Sequence, residues 1–230
     1  MPLLFFIVAV LAVALLVVAL KLRETRRAEF IRHYPFPKGL IEKLQARRHG
    51  INAKDGQLVA RALRQFFLAH LASGRQFVSM PSQVTDELWH EFILYTRNYE
   101  AFCRRAFGRF MHHTPAVVLG PERRDNAGLR RTWWHCCKDE NINPSKPTRL
   151  PLLFAIDTKL GIADGFHYVP DCSALREGGS GTAYCGGDFG SSSVDGGTDG
   201  FGDGGGGSAS DGGDRGGGDG GGGGCGGGGD

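Results

Sequence analysis

Length, composition and charge divide this chain of 230 residues into unlike parts. Most of its 37 glycines follow Glu177, and so glycine-rich a segment cannot bury enough apolar surface to fold, which leaves only the preceding part to form a core. The tail from Gly178 holds eight aspartates and one arginine, a net charge of −7 that leaves +10 for the rest. This basic body favours an anionic partner such as lipid, whereas nucleic acid is disfavoured because the basic residues are dispersed and no reader motif is present.

The first element is an unbroken apolar run from Leu3 to Leu20. As a helix rising about 1.5 Å per residue it spans about 27 Å, just enough to cross a hydrocarbon core of about 30 Å. A cleaved signal peptide is the alternative, but no Lys or Arg precedes the run, and KLRETRR follows it in place of a small-residue cleavage site. We therefore predict a transmembrane anchor with a basic juxtamembrane segment over residues 1–26, contacting membrane lipid through residues 3–20.

The charges beside this anchor predict its orientation. Lys21, Arg23, Arg26 and Arg27 directly follow the apolar run, and basic residues cluster on the cytoplasmic side of membrane proteins. We expect a single-pass protein of the plasma (inner) membrane, with its N-terminus outside and its body in the cytoplasm. That location predicts reduced thiols. The spacing of the six cysteines agrees, because no Cys-x-x-Cys pair occurs and a disulfide between the adjacent Cys136 and Cys137 would be strained, which is not typical of a disulfide framework.

Helical periodicity dominates the body that follows. A short helix is predicted from Leu40 until near Gly50, and Asn52 is placed to cap the next one, which we expect to end near Gly74. In that second helix two adjoining apolar rows recur every four residues: Leu58, Ala62 and Phe66, and Val59, Leu63 and Phe67. A stripe this wide is typical of a helix that faces the core.

The densest helical pattern lies between Met80 and Pro115. Ser82 can cap a helix with acidic residues in its first turn, and the helix is apolar on two faces, so we expect it to be buried between neighbours. Asp86 and His90 are four residues apart and therefore meet on one face. One simple outcome is that the carboxylate orients the imidazole and holds one tautomer.

Two interpretations of the polar residues in this stretch stay open. In the first, Asp86, His90, Cys103 and one of His112 or His113 bind zinc or another divalent metal, because zinc favours nitrogen and sulfur donors. In the second there is no cofactor. Asp86 and His90 are then a buried hydrogen-bonded pair, Cys103 is a small core residue and the two adjacent histidines form a solvated turn. The spacing matches no regular zinc signature.

The motif D-E-L-W-H-E-F-I-L resembles the glycine-rich domain-containing protein family, best known from plants, whose signature is of the type D-x-x-W-H-x-H. The sequence departs from that signature at Phe92, where the plant-type motif has its second histidine. The resemblance implies no established reaction and only developmental or stress-associated roles. Residue by residue it carries over to Asp86, Trp89, His90, Tyr99 and Cys103, with Gly108 behind them.

Towards the C-terminus the pattern weakens. A helix is predicted from Leu129 to Lys138, residues 152–156 are too short and too apolar to settle as strand or buried helix, and residues 164–170 suggest a turn into a small hairpin. The fold class is therefore mostly α: a transmembrane helix, a compact helical cytoplasmic domain over residues 27–176 with one small hairpin, and a disordered acidic Gly-rich tail over residues 177–230.

Two functions follow from this organisation. The first is a membrane-anchored interaction or scaffold module with an unknown protein partner, in which the tail is a spacer or weak binding segment. The alternative is a metal-dependent enzyme or sensor centred on Asp86 and His90, with His90 as ligand or general base. The sequence indicates neither a catalytic residue set nor a substrate.

Overall fold

The computed structural model describes residues 2–113, 127–170, 184–186 and 189, and within these the regular secondary structure is almost entirely helical. The mostly α fold class predicted from the sequence is confirmed, with seven helices and two very short strands among the described residues. The elements are α1 (Pro2–Arg32), α2 (Leu40–Arg47), α3 (Ala53–Ala72), α4 (Gln83–Leu94), α5 (Thr96–Phe107), α6 (Ala127–Asp139), α7 (Leu152–Lys159), β1 (Tyr168–Val169) and β2 (Tyr184–Cys185).

Helix α3 is the centre of the body and packs against α1, α2, α4, α6 and α7. It begins at the predicted cap, where the Asn52 side chain accepts the N–H groups of Lys54 and Asp55 and the Asp55 carboxylate accepts the N–H of Asn52. This reciprocal capping box satisfies donors that have no partner inside the helix. Phe66 and Phe67, one from each apolar row, are both fully buried, so α3 contributes two faces to the core.

Helix α1 joins the apolar N-terminal run to this core without a break. Its apolar stretch has no residue buried inside the protein, and among the described residues α1 is the helix long and apolar enough to cross a membrane; a signal sequence would meet the same criteria. Its last turns behave differently, because Ile31 is fully buried and Arg32 donates to Asp139 of α6 at 2.5 Å. The end of α1 is therefore part of the helical body.

The short apolar segment that the sequence left undecided is helix α7. Its first free N–H groups find partners in other elements: Leu152 donates to the Glu140 carboxylate at 2.6 Å, and Leu153 donates to the side-chain oxygen of Gln65 in α3 at 2.9 Å. Arg149 in turn donates to the Glu140 carboxylate. Helix formation here depends on distant side chains, which is why local periodicity could not decide it.

The predicted small hairpin is replaced by a parallel pair. Residues 168 and 169 are extended as expected, but they pair with 184 and 185 in parallel register, Tyr168 opposite Tyr184 and Val169 opposite Cys185. A hairpin needs only a tight turn, whereas parallel strands need a long crossover. The fourteen residues between the two strands supply that length. The predicted disordered tail lies outside the described residues apart from 184–186 and 189, and the domain limits at residues 26 and 176 stay predictions.

His70 makes the stability of this fold depend on pH. It is buried near the end of α3 with 7% of its surface exposed, and its Nδ1–H donates to the Gln76 carbonyl at 3.0 Å. Burial lowers its pKa to about 4, so it is neutral when folded and takes up a proton only on unfolding. The free energy of unfolding should therefore fall by about 3 kcal/mol as the pH drops from about 6.5 to about 4.

Urea unfolding of the detergent-solubilised chain at a series of pH values checks this prediction. His70→Gln, which keeps an N–H donor for Gln76 but has no titrating ring, should lose most of the pH dependence in that window. His49→Gln, at an exposed position on the short α2–α3 connection, is the matched control and should retain it. Equal pH profiles for the two variants would contradict the assignment to His70.

A candidate metal centre on helix α4

The N-terminus of α4 is held by a buried carboxylate from another helix. Asp157 of α7 has 2% of its surface exposed and accepts hydrogen bonds from the Ser82 hydroxyl at 2.8 Å and from the backbone N–H groups of Gln83 at 2.8 Å and Val84 at 3.3 Å. It also accepts the N–H of Phe166 at 3.0 Å. A negative charge is stabilised at this helix end, so Asp157 fixes the start of α4 and with it the first turn.

Asp86, in that first turn, lies between two imidazoles. Its Oδ2 is 3.4 Å from Nδ1 of His90, one turn further along α4, and its Oδ1 is 3.1 Å from Nε2 of His113, which follows α5. The His90 and His113 rings are in contact, with their centroids 4.3 Å apart and their planes inclined at 57° to each other. One ligand-type atom from each of the three side chains lies within 4.8 Å of the others.

Burial differs across this group. The Asp86 and His113 side chains are 14% and 15% exposed, whereas the His90 side chain is 42% exposed. The Asp86 carboxylate and the His113 ring are therefore shielded from solvent, and the group opens to water on the His90 side.

A chain of buried hydrogen bonds places the segment that carries His113. The Trp89 indole N–H donates to the Tyr99 hydroxyl at 3.1 Å, and that hydroxyl donates to the Met111 carbonyl at 2.6 Å. Trp89 also packs its ring against His113, with centroids 4.6 Å apart. Helices α4 and α5 thus jointly position the backbone two residues before His113. Gly108 ends α5 as predicted, with φ of 77°.

The structure separates the other two predicted ligands from this group. Cys103 is fully buried in the core, where burial raises the pKa of its thiol and disfavours the thiolate that a metal would need. His112 is exposed, and its ring packs against Phe110 with centroids 4.8 Å apart. The four-ligand set proposed from the sequence is therefore reduced to Asp86, His90 and His113 among the described residues.

The remaining acidic residues of α4 are committed to arginines. Glu87 accepts two hydrogen bonds from the Arg48 guanidinium in a bidentate pair, one of them 2.8 Å long. Glu91 is 3% exposed and pairs with Arg47 at 2.5 Å. Asp86 is the acidic side chain of α4 that contacts only imidazoles among the described residues. Sequence spacing could not distinguish Asp86 from these two glutamates, because the arginines that pair with Glu87 and Glu91 come from the region of α2.

The geometry suits a small divalent cation. Around a tetrahedral zinc ion with bonds of about 2.0–2.1 Å, neighbouring ligand atoms are about 3.3 Å apart. One ligand atom from each of Asp86, His90 and His113 lies within 4.8 Å of the others, so small side-chain rotations would bring them to that spacing. Two histidines and one carboxylate supply three ligands and leave a coordination position for water or substrate. Without an ion, Asp86 holds the His113 ring by a hydrogen bond and lies in close contact with the His90 ring.

Removing the Tyr99 hydroxyl tests how the His113 segment is positioned. Tyr99→Phe leaves the Trp89 N–H and the Met111 carbonyl without a partner in a site that is 1% exposed, so we expect a loss of about 2 kcal/mol in unfolding free energy. Metal affinity should fall about tenfold as the segment loosens. Tyr95→Phe is the control, because its hydroxyl makes only a 3.4 Å contact with Lys38 on the surface, and it should change neither quantity measurably.

Comparison with known proteins assigns a family. A family model described as UCP032817-like matches residues 26–189, more than half of the chain, and the chain therefore belongs to that uncharacterised family. No curated protein and no solved structure matches it. The resemblance to glycine-rich domain-containing proteins is wrong. It rested on one short motif whose residues Trp89 and Tyr99 are explained by local packing of α4 on α5, and such packing does not identify a family.

Proposed function

We propose that this member of the UCP032817-like family is a membrane-anchored protein whose helical domain binds a divalent metal, zinc or a similar ion, through Asp86, His90 and His113. The observation that carries the proposal is the convergence of three ligand-type atoms, from two separate segments, within 4.8 Å of one another. Two features support it: the donor types match a metal with an open coordination position, and Asp157 and the Trp89–Tyr99 pair fix both segments.

A metal held by these three ligands would supply a Lewis acid and lower the pKa of a bound water. Asp86 would be a ligand, so the alternative in which it orients His90 as a general base would not apply to the loaded protein. His90, as the most exposed of the three, would border the open side where a substrate or sensed molecule enters. The proposal covers a metal-dependent enzyme or sensor and assigns no reaction.

Metal analysis of the whole chain tests this function. The protein would be purified in detergent through a tag without histidines, and metal content measured by plasma mass spectrometry. We expect close to one zinc or other divalent ion per chain, and a loss of that ion in His90→Ala. A metal-free protein that takes up no ion from zinc, iron or manganese solutions would refute the proposal and leave the interaction module predicted from the sequence as the function.

We further propose that α1 is a permanent membrane anchor, with its N-terminus outside and the body in the cytoplasm at the plasma (inner) membrane. Support comes from the basic residues after the apolar run and from the continuity of α1 into the packed core, where Ile31 is buried. Fusions of a periplasm-active and a cytoplasm-active reporter after Gly120 test the orientation. Activity of the periplasmic reporter would reverse it, and recovery of a shortened, soluble chain would show cleavage.

A further inference from the structure

A basic groove lies where α1 leaves the proposed membrane. It has a volume of about 450 Å³ and runs along the second half of α1 to the last turn of α5. Its lining combines four guanidinium groups with three apolar side chains: Arg23, Arg26, Arg27 and Arg105, and Ala19, Leu22 and Phe30.

The positive charge of this groove is largely uncompensated. Glu24, the nearby acidic residue of α1, is 2.5 Å from Arg75 and 3.7 Å from Arg27. In the parts of the chain that the structure describes, no carboxylate pairs with Arg23, Arg26 or Arg105. Several guanidinium groups that share one concavity without acidic partners favour the binding of a phosphate group.

Arg105 is the residue that only the fold brings to this place. It comes from α5, and its guanidinium lies over the Phe30 ring of α1 with 4.3 Å between the guanidinium carbon and the ring centroid. This stacking holds the planar group by its face, so its N–H edges stay available to an acceptor.

The groove also lies at the level of the membrane where a lipid headgroup meets its acyl chains. Ala19 and Leu22 continue the apolar surface of the predicted membrane segment, and Leu22 is 53% exposed. Ala19 and Phe30 are eleven residues apart, about 16 Å along a helix axis, so the groove extends from the edge of the hydrocarbon core through the headgroup layer. An occupant should be apolar at one end and anionic at the other.

We propose that this groove binds an anionic phospholipid, with the headgroup phosphate against the four arginines and the acyl chains along α1. The inference rests on the membrane anchoring proposed above and is independent of the metal site. Basic groups next to a membrane helix contribute to anionic-lipid binding by about fivefold each in affinity. The arginines from α1 and α5 together would make the protein select anionic over zwitterionic lipid and set the angle of the body to the membrane.

The test compares two neighbouring arginines of α5. Phosphatidylglycerol or phosphatidylcholine is titrated into the full chain in neutral detergent, and bound lipid is counted by native mass spectrometry. We expect a preference for phosphatidylglycerol that Arg105→Gln weakens about fivefold and Arg105→Lys weakens less. Arg104→Gln removes the same charge one residue away, where the side chain is 71% exposed and paired with Glu100, and should leave the preference unchanged.

Three outcomes would overturn the groove assignment: equal affinity in Arg105→Gln and Arg104→Gln, no preference between the two lipids, or displacement of the lipid by millimolar inorganic phosphate. Extraction of cell membranes with alkaline carbonate distinguishes a failure of the groove assignment from a failure of the membrane anchoring. A chain that is released by carbonate refutes the anchoring itself. A chain that stays in the membrane while both variants bind lipid equally refutes only the groove.

Discussion

Replacing His113 with alanine is expected to abolish the stabilisation of the protein by divalent metal. A ligand at about 100 times its dissociation constant raises the unfolding free energy by about 2.7 kcal/mol, which for a chain of this size is a rise of about 5–10 °C in the unfolding temperature. Without His113 two ligands remain, Asp86 and His90 on one helical turn, and two ligands from one helix do not enclose an ion. Thermal unfolding with zinc and with chelator measures the difference.

His112→Ala is the matched control for this experiment. It removes the same side chain one position away, but His112 is exposed and lies outside the group around Asp86. The rise in unfolding temperature that metal causes in His112→Ala should equal the rise in the unchanged protein. The readout compares each variant with and without metal, so any stability lost with the His113 contact to Trp89 cancels. If metal still raises the unfolding temperature of His113→Ala fully, or no longer raises that of His112→Ala, the ligands are assigned wrongly.

Asp157→Asn is expected to cause the largest loss of stability of any single change discussed for this fold, about 3 kcal/mol in unfolding free energy. The carboxylate accepts four hydrogen bonds in a site that is 2% exposed, from Ser82, Gln83, Val84 and Phe166. The amide of asparagine keeps one acceptor oxygen and turns an NH₂ group towards N–H donors, and it removes the charge from the helix end.

Urea unfolding of the solubilised chain measures this loss, with Asp164→Asn as control. Asp164 also accepts hydrogen bonds from a distant residue, Arg48, but the Asp164 side chain is 54% exposed. An ion pair so open to solvent contributes less than about 1 kcal/mol to the unfolding free energy. Asp157→Asn should also weaken metal binding, because Asp86 lies in the turn that Asp157 holds. If the two variants lose equal stability, the buried carboxylate is not the anchor of α4 that its contacts indicate.

The residues around Asp86 show what a helical pattern can predict. The four-residue spacing of Asp86 and His90 places them on one face of α4, and the structure brings them to 3.4 Å. The choice between His112 and His113 could not be made in that way, because it depends on how a loop returns across α4. That path is decided by the Trp89–Tyr99–Met111 hydrogen bonds. Cys103, predicted as a ligand from its residue type, is fully buried in the core.

Some functional residues gave no usable signal in the sequence. Asp157 is a lone acidic residue in the apolar segment LLFAIDTK, and nothing local distinguishes it from a solvated carboxylate. Its partners at the start of α4 are more than seventy residues earlier in the chain. Arg105 is one of several arginines on α5, and only its place over Phe30 of α1 separates it from Arg104.

The sequence by itself determined the properties that depend on local order. The apolar run of α1, the capping of α3 by Asn52 and of α4 by Ser82, the end of α5 at Gly108 and the mostly helical class all follow from composition, periodicity and capping, which act over a few neighbouring residues.

Only the tertiary structure decided the rest. It made a helix of residues 152–159, paired the two strands in parallel, chose His113 as the third member of the group and brought Arg105 to the basic groove. Each depends on contacts between residues that are well separated in the chain. Hydrogen bonds and ion pairs of that kind are directional and short, so they leave no periodic trace in the order of the residues.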